Sequence, residues 1–150
     1  FEKNRGVFVR EIDLAEADQN YVVRGALEAL AARLLAERIT DEECGALSGI
    51  IDAMAAAVAR KNYTRYANLN HDLHQRTVEL AGNPKLLEIY VRITKELMLF
   101  RRRSLAPGPT LDEHRKIVER IVKRDPEGAS QAVLAHVEGA RRRILAAYAP

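Results

Sequence analysis

The chain is poor in several of the residues on which other protein classes depend. Its 150 residues include one cysteine, no tryptophan, 8 glycines and 5 prolines. The single thiol, Cys44, excludes an internal disulfide framework and fits a reducing compartment, so we expect a cytoplasmic protein. No uninterrupted apolar run is long enough to cross a bilayer, and we therefore expect no membrane partner. The scarcity of glycine and proline beside abundant alanine and leucine favours helices over a sheet sandwich.

The charge balance points to no particular partner. Hydrophobic residues make up 47% of the chain and charged residues 30%, which is typical of one compact globular domain. The net charge of +3 permits an anionic partner without demanding one. Two basic clusters, at 101–103 and 141–143, are interpreted as solvated helix ends, where cations are favoured.

Helical periodicity and helix-end signals cover nearly the whole chain. Two capping boxes and two cap-plus-proline pairs mark four helix starts: Thr40 with Glu43, Thr110 with Glu113, Asn83-Pro84 and Asp125-Pro126. In the first helix an apolar stripe is predicted at Val23, Leu27, Leu30 and Leu34. We predict an all-α fold, an antiparallel bundle of about six helices, over residues 14–37, 41–60, 63–80, 84–103, 111–123 and 126–147.

The first ten residues differ from the rest. "RGVFVR", which ends at Arg10, alternates apolar and polar residues after a glycine and indicates a short strand. One strand alone is not stable. We therefore interpret it as the last piece of a unit whose remainder is absent from this chain.

The third helix carries a cluster of polar residues in "LNHDLHQRTVELAGNP". A helical wheel places Asn70 and His74 inside the apolar stripe, one turn apart on the same face. His71 lies at the edge of the stripe, and Asp72 points away from it and is expected to be a surface acid.

Two more histidines are predicted to face the interior. His114 falls inside the apolar stripe of the fifth helix, which we place at Leu111, Ile117, Val118, Ile121 and Val122. His136 lies near the centre of the stripe of the sixth helix. Three of the four histidines in the chain are thus expected to reach one core from three different helices.

A shared metal ion is the favoured explanation of this pattern. A lone inward histidine is commonly a hydrogen-bonded core residue, and an unsatisfied buried group costs about 1–3 kcal/mol. One divalent ion can bind three neutral imidazoles at once, whereas without an ion each imidazole requires a hydrogen-bond partner of its own. Asn70 adds a carbonyl oxygen to the possible ligands. The donor set suits Zn, Ni, Mn or Fe, with positions open for water or a small anion if the ion is six-coordinate.

Catalytic motifs are missing. The sequence has no "HExxH", and no glutamate stands three residues before any histidine, as a di-iron bundle requires. The inward stripes show no spare carboxylate that could act as a general base, so we expect a binding site and no enzyme. Two alternatives stay open: a metal-dependent enzyme of the helical-bundle type, and a helical interaction module without a ligand.

Five segments in order resemble the effector-binding FCD domain of GntR-type bacterial transcription regulators, in the FadR and VanR branches. They are "RGVFVR", "VRGALEALAARLLAERIT", "LNHDLHQRTVELAGNP", "EHRKIVERIVKRDPEGA" and "AHVEGARRR". The resemblance implies a helical bundle enclosing a metal, with the ligands at Asn70, His74, His114 and His136. The family often has Asp at the position of Asn70 and Phe at that of Leu73. Because a neutral carbonyl is a weaker donor than a carboxylate, this departure implies lower affinity or a different ion.

The resemblance also implies partners. In similar domains a small organic acid binds at or beside the metal, and its carboxylate pairs with a nearby cation. Arg24 is our candidate for that cation, the alternative being an ion pair with Glu28 four residues on. Homodimerisation is implied as well, through exposed apolar positions such as Leu99.

The expected domain division follows from the same resemblance. We interpret residues 1–12 as the end of a winged helix-turn-helix wing plus linker, and residues 13–150 as the effector-binding domain. DNA binding would then require the winged domain, which we expect to be missing from this chain. The predicted function is a metal-dependent sensor of a small carboxylic acid in a dimeric bacterial transcription regulator.

Overall fold

The computed structural model describes residues 12–101 and 110–148, and the side chains of all of these except 99–101. Within this part the fold is all-α, as predicted. Its helices are α1 (Leu14–Arg38), α2 (Asp41–Ala59), α3 (Tyr63–Leu80), α4 (Pro84–Arg101), α5 (Leu111–Val122) and α6 (Pro126–Ala147). The strand expected to end at Arg10, the residues 102–103 and the side chain of Leu99 lie outside the described residues. None of the described helices combines the length and apolarity needed to cross a bilayer.

Local side-chain bonds explain where most helices begin. Thr40 and Glu43 form the predicted capping box at α2, with both reciprocal hydrogen bonds present. At α4, Asn83 Oδ1 accepts from the amide of Leu86 at 3.1 Å. At α6, Asp125 Oδ1 accepts from the amide of Gly128 at 2.9 Å. These bonds satisfy amides that a helix leaves unpaired in its first turn.

The capping box predicted at Thr110 is wrong. Thr110 is the N-cap residue of α5, but its side chain makes no capping bond. Glu113 instead turns toward α6, where its Oε2 lies 2.6 Å from Nδ1 of His136. The contact with the buried imidazole is favoured over the capping bond, because an unpaired polar group costs more free energy in the interior than at a solvated helix end.

The stripe predicted for α1 is also wrong. Val23 and Leu30 are 44% and 45% exposed, and Leu27 and Leu34 are half-buried. The buried face of α1 carries small or polar side chains instead, with the exception of Tyr21 and Leu35: Ala17, Tyr21, Arg24, Gly25, Glu28, Ala29, Ala31, Ala32, Leu35 and Ala36. Small side chains let neighbouring helices approach closely, so the larger aliphatic residues are left on the outside. On α5, Val122 was likewise expected inside but is 36% exposed.

α1 is the central helix of the bundle. It packs most extensively against α6 and also contacts α3, α4 and α5. Within the described part of the chain, the backbone of α3 runs beside α1, α2 and α4, whereas α3 meets α5 and α6 through side chains such as Tyr66 and His74. The side chains that α3 shares with α5 and α6 must therefore reach across an interior space, and that is where the histidines lie.

The cluster at 141–143 is more than a solvated helix end. Arg141 pairs with Asp18 on α1, at 2.5 Å between Nε and Oδ1, and with Glu138 on its own helix. Arg143 lies 3.4 Å from Glu113. Arg141 and Arg143 therefore connect α6 to α1 and α5 before α6 ends at Ala147.

Candidate metal centre

Three imidazoles converge at the centre of the bundle. Nε2 of His74 lies 3.2 Å from Nε2 of His114 and 3.2 Å from Nε2 of His136. All three residues are buried, with exposures of 6%, 0% and 6% in chain order. The convergence expected from the helical wheels is therefore present, with one histidine each from α3, α5 and α6.

The outer nitrogen of each ring meets a hydrogen-bond acceptor. Nδ1 of His74 lies 2.7 Å from Oε2 of Glu28, and Nδ1 of His136 lies 2.6 Å from Oε2 of Glu113. Nδ1 of His114 lies 2.7 Å from the backbone carbonyl oxygen of Thr110. Carboxylate and carbonyl oxygens only accept, so each Nδ1 must carry the proton. In a neutral imidazole this leaves the lone pair on Nε2, and the three lone pairs point at one another.

Burial and the neighbouring rings keep two of these imidazoles neutral. Burial lowers the pKa of His114 to about 2, and the charges of His74 and His136 act in the same direction. Burial likewise lowers the pKa of His136 to about 4, with a further contribution from His74, although Glu113 opposes the shift. Both rings are thus neutral near pH 7, which is the form that binds a metal.

Asn70 lies one turn before His74 on the same helix. The residue is half-buried, and its Oδ1 is buried with no hydrogen-bond partner. The other polar residues of this stretch are placed as the sequence predicted: His71 is half-buried and outside the cluster, and Asp72 is exposed. A buried carbonyl oxygen without a donor is unusual and calls for a ligand, an ion or a water.

Glu28 is the functional residue that the sequence reasoning undervalued. It is 2% exposed, and its two oxygens are shared between Nε of Arg24 at 2.5 Å and Nδ1 of His74 at 2.7 Å. Burial opposes its ionisation, but Arg24 and His74 outweigh burial and hold the pKa of Glu28 well below its usual range. It is also the inward carboxylate that we expected to be absent. The sequence did contain a signal for this inward carboxylate: Glu28 follows Arg24 by one helical turn and lies on the same face of α1.

Arg24 is therefore ion-paired, as the alternative interpretation held. It is 4% exposed, and its guanidinium carbon lies 5.8 Å from the ring centroid of Tyr21. Burial opposes the charge, but the carboxylate of Glu28 raises the pKa of Arg24 above its usual value. Arg24 also lines a cavity beside the histidines, so the ion pair does not remove it from the site.

That cavity lies between α1, α3 and α4 and has a volume of about 20 Å³. Its lining combines the cluster residue His74 with polar and apolar side chains of three helices: Arg24, Asn70, His71, His74, Tyr90, Thr94, Leu97 and Met98. A second cavity of about 10 Å³, also lined by His74, has Glu28, Thr77 and three apolar residues as its other walls. The polar cavity is thus the one suited to a polar guest next to the cluster.

The donor set fits a divalent metal ion. At a metal–nitrogen distance of about 2.0–2.1 Å, neighbouring ligand atoms lie about 3.0–3.4 Å apart, and the two separations from Nε2 of His74, 3.2 Å each, fall in that range. Carboxylates and carbonyls that accept a hydrogen bond from Nδ1 are the usual partners of metal-bound histidines. The three histidines could therefore hold an ion without rearrangement of their outer contacts.

The chain is similar to known regulators over most of its length. The FCD domain family model matches residues 19–139. The HTH-type transcriptional repressor RspR of Escherichia coli K12 is 24% identical over 138 residues, which cover 89% of this chain and 60% of the repressor. The chain thus spans about three fifths of that relative.

Solved structures show the same fold. Streptococcus agalactiae GntR superposes with a TM-score of 0.74 at 24% identity, over 85% of this chain and 58% of that one. E. coli McbR/YncC gives a TM-score of 0.83 at 15% identity, over 94% of this chain and 69% of that one. Because the family model covers most of the 150 residues, the chain belongs to the FCD domain family, the effector-binding domains of GntR-type transcription regulators, a regulatory and not a catalytic family.

Proposed function

We propose that Asn70, His74, His114 and His136 bind a divalent ion, Zn, Ni, Mn or Fe, and that this domain senses a small carboxylic acid there. The observation that carries the proposal is the convergence of three Nε2 atoms whose rings all donate from Nδ1 to outer acceptors. Three lone pairs facing one another repel, and a cation at their centre removes the repulsion. The unpaired Oδ1 of Asn70 supports its inclusion as the fourth ligand.

A purely hydrogen-bonded cluster is the competing explanation. It requires one imidazole to be protonated on both nitrogens, so that an N–H could point at a neighbouring Nε2. The low pKa values of His114 and His136 disfavour such a proton on those two rings, so this explanation must place it on His74, whose Nδ1 faces the carboxylate of Glu28. A metal ion needs no such proton and leaves every outer hydrogen bond intact.

Charge counting supports a carboxylate as the guest. Arg24 and Glu28 cancel each other in the buried core, so they offer no net charge to an anion. When bound, a divalent ion supplies the Lewis acid and the positive charge that a carboxylate requires. Arg24 would then orient the acid, because a guanidinium has five N–H donors and Glu28 engages it through Nε. Acid binding is therefore expected to depend on the metal.

We further propose that the domain serves a dimeric bacterial transcription regulator that binds DNA through a winged helix-turn-helix domain. In that assignment residues 1–12 are the end of the wing with its linker, and residues 13–150 are the sensor. Acid binding would favour one arrangement of the bundle and so change how paired DNA-binding domains meet two operator half-sites. Membership of the FCD family supports this assignment.

The outer face of α1 supports a homodimer. Val22, Val23 and Leu30 are 56%, 44% and 45% exposed and lie on one side of the helix. Val22 and Leu30 stand four residues on either side of Ala26, which is itself exposed. Such a stripe is its own complement when two copies pack antiparallel about a two-fold axis, the usual symmetry of a dimer.

Elemental analysis of the purified protein tests the metal site directly. We expect about one divalent ion per chain, lost in both His74→Ala and His136→Ala but kept in His71→Ala, whose histidine lies outside the cluster. A chelator should lower the melting temperature of the parent and leave the two cluster variants unchanged. A parent that is folded, free of metal and insensitive to chelator would contradict the proposal.

A further inference from the structure

Two buried side-chain oxygen atoms in the described part of the chain have no hydrogen-bond partner, and both belong to residues that line the same cavity. They are Oδ1 of Asn70 on α3 and Oγ1 of Thr94 on α4. A threonine inside a helix usually bonds back to the carbonyl four residues earlier, as Thr77 does to Leu73 at 2.9 Å. Thr94 does not, so its hydroxyl remains available to the cavity.

The proposed metal explains Asn70 but not Thr94. Asn70 shares a helix face with His74, whereas Thr94 is on α4, which supplies none of the four proposed ligands. A buried hydroxyl without a partner costs about 1–3 kcal/mol. An unexplained cost of that size next to a binding site calls for a bound group that satisfies it.

The size and polarity of the cavity restrict what that group can be. Its volume of about 20 Å³ is close to the space needed for one water-sized group, about 10–15 Å³. A second carboxylate or a ring is too large for it. A hydroxyl fits, and a hydroxyl can donate one hydrogen bond and accept another, which matches both the threonine and the cationic N–H groups of Arg24.

We propose that Thr94 is a specificity-determining residue and that the effector is a hydroxycarboxylic acid, whose hydroxyl fills the cavity between α1, α3 and α4. This inference rests on the proposed function, because the carboxylate end of the guest is placed at the metal. It adds a contact to a fourth helix, so that the acid links α4 to the histidine-bearing core. An acid that lacks the hydroxyl leaves Thr94 unpaired and binds more weakly.

Paired acids that differ only in the hydroxyl test the inference. The metal-loaded protein is titrated with lactate against propionate, 3-hydroxybutyrate against butyrate and malate against succinate, and the affinity is measured by calorimetry. In at least one pair we expect the hydroxy acid to bind about tenfold more tightly, the value of one buried hydrogen bond. Thr94→Val should reduce that ratio to near one, Thr94→Ser should keep it, and the exposed Thr64→Val serves as the control.

Each outcome bears on one claim. If acids bind but the hydroxyl makes no difference, the cavity holds water, and the inference about Thr94 fails while the sensor proposal stands. If the preference persists in Thr94→Val, the hydroxyl is recognised elsewhere, for example by the metal itself, and the inference also fails. If no acid in the panel binds the metal-loaded parent, the sensor proposal fails and the inference fails with it.

Discussion

At the scale of single residues, the buried charges of the bundle depend on Glu28. It is shared between Arg24 on its own helix and His74 on α3, and all three side chains are nearly inaccessible to water. Removal of one partner from a buried ion pair leaves the other charge without compensation, which is more costly than the pair is beneficial. Glu28 therefore secures both the guanidinium beside the cavity and the orientation of the His74 imidazole.

Glu28→Gln keeps the shape of the side chain and removes its charge. We expect this substitution to lower the free energy of unfolding by about 3–5 kcal/mol, because Arg24 is left charged and buried. Urea denaturation measures the loss. Glu37→Gln is the matched control, since Glu37 also pairs with an arginine four residues away but is exposed, and its substitution should change stability by less than about 0.5 kcal/mol. A loss below about 1 kcal/mol for Glu28→Gln would show that the pair is not required.

At the scale of helices, the sequence was informative wherever the signal was local. The beginnings of α2, α4 and α6 follow from a capping residue and the few amides next to it. The end of α3 follows from Gly82, whose φ of +71° is strained for any other common residue. The capping box at Thr110 was predicted wrongly because Glu113 contacts His136 on α6 instead. That contact joins two helices and cannot be read from a local sequence pattern. The buried face of α1 was predicted wrongly for a similar reason. Its alanines give no hydrophobic pattern that identifies the inner face, and which face is buried depends on how the helices pack.

Two glycines, one just after α3 and one inside α2, predict opposite mutational effects. Gly82→Ala should destabilise the protein by about 1–2 kcal/mol, because alanine resists the left-handed conformation. Its new methyl group would also meet the guanidinium of Arg38 at 3.3 Å. Gly49→Ala should stabilise by up to about 1 kcal/mol, because Gly49 is inside α2 with open space where the methyl would go. Thermal unfolding measures the change in melting temperature of each variant. A shift in the same direction for both would contradict the different roles given to Gly82 and Gly49.

At the scale of the whole molecule, the site could be predicted in outline but not in detail. Each of the three histidines lies on the apolar face of its own helix, so their inward direction is visible in the sequence. Which acceptor meets which outer nitrogen depends on how α1, α3, α5 and α6 pack together. The roles of Glu28 and Glu113 therefore required the structure.

The exposed stripe on α1 gives a prediction at the same scale. Leu30→Glu should convert the proposed dimer into a monomer, because it places a charge inside an apolar contact between two copies. Sedimentation velocity measures the change, and circular dichroism should show an unchanged helical fold. Val122→Glu on α5 is the control, since Val122 is exposed but lies on another helix. A parent that is already monomeric at working concentrations would contradict the proposed interface.

The pairing of α1 with α6 determines when the centre can exist during synthesis. His136 and the longest contact of α1 both belong to the last helix, while Glu28 belongs to the first. Because chains emerge from the ribosome in order, Glu28, His74 and His114 are synthesised before His136. The cluster is therefore incomplete until α6 packs against α1. In the metal centre proposed here, cation uptake would accompany completion of the bundle, because a chain that stops before α6 lacks His136, one of the three converging histidines.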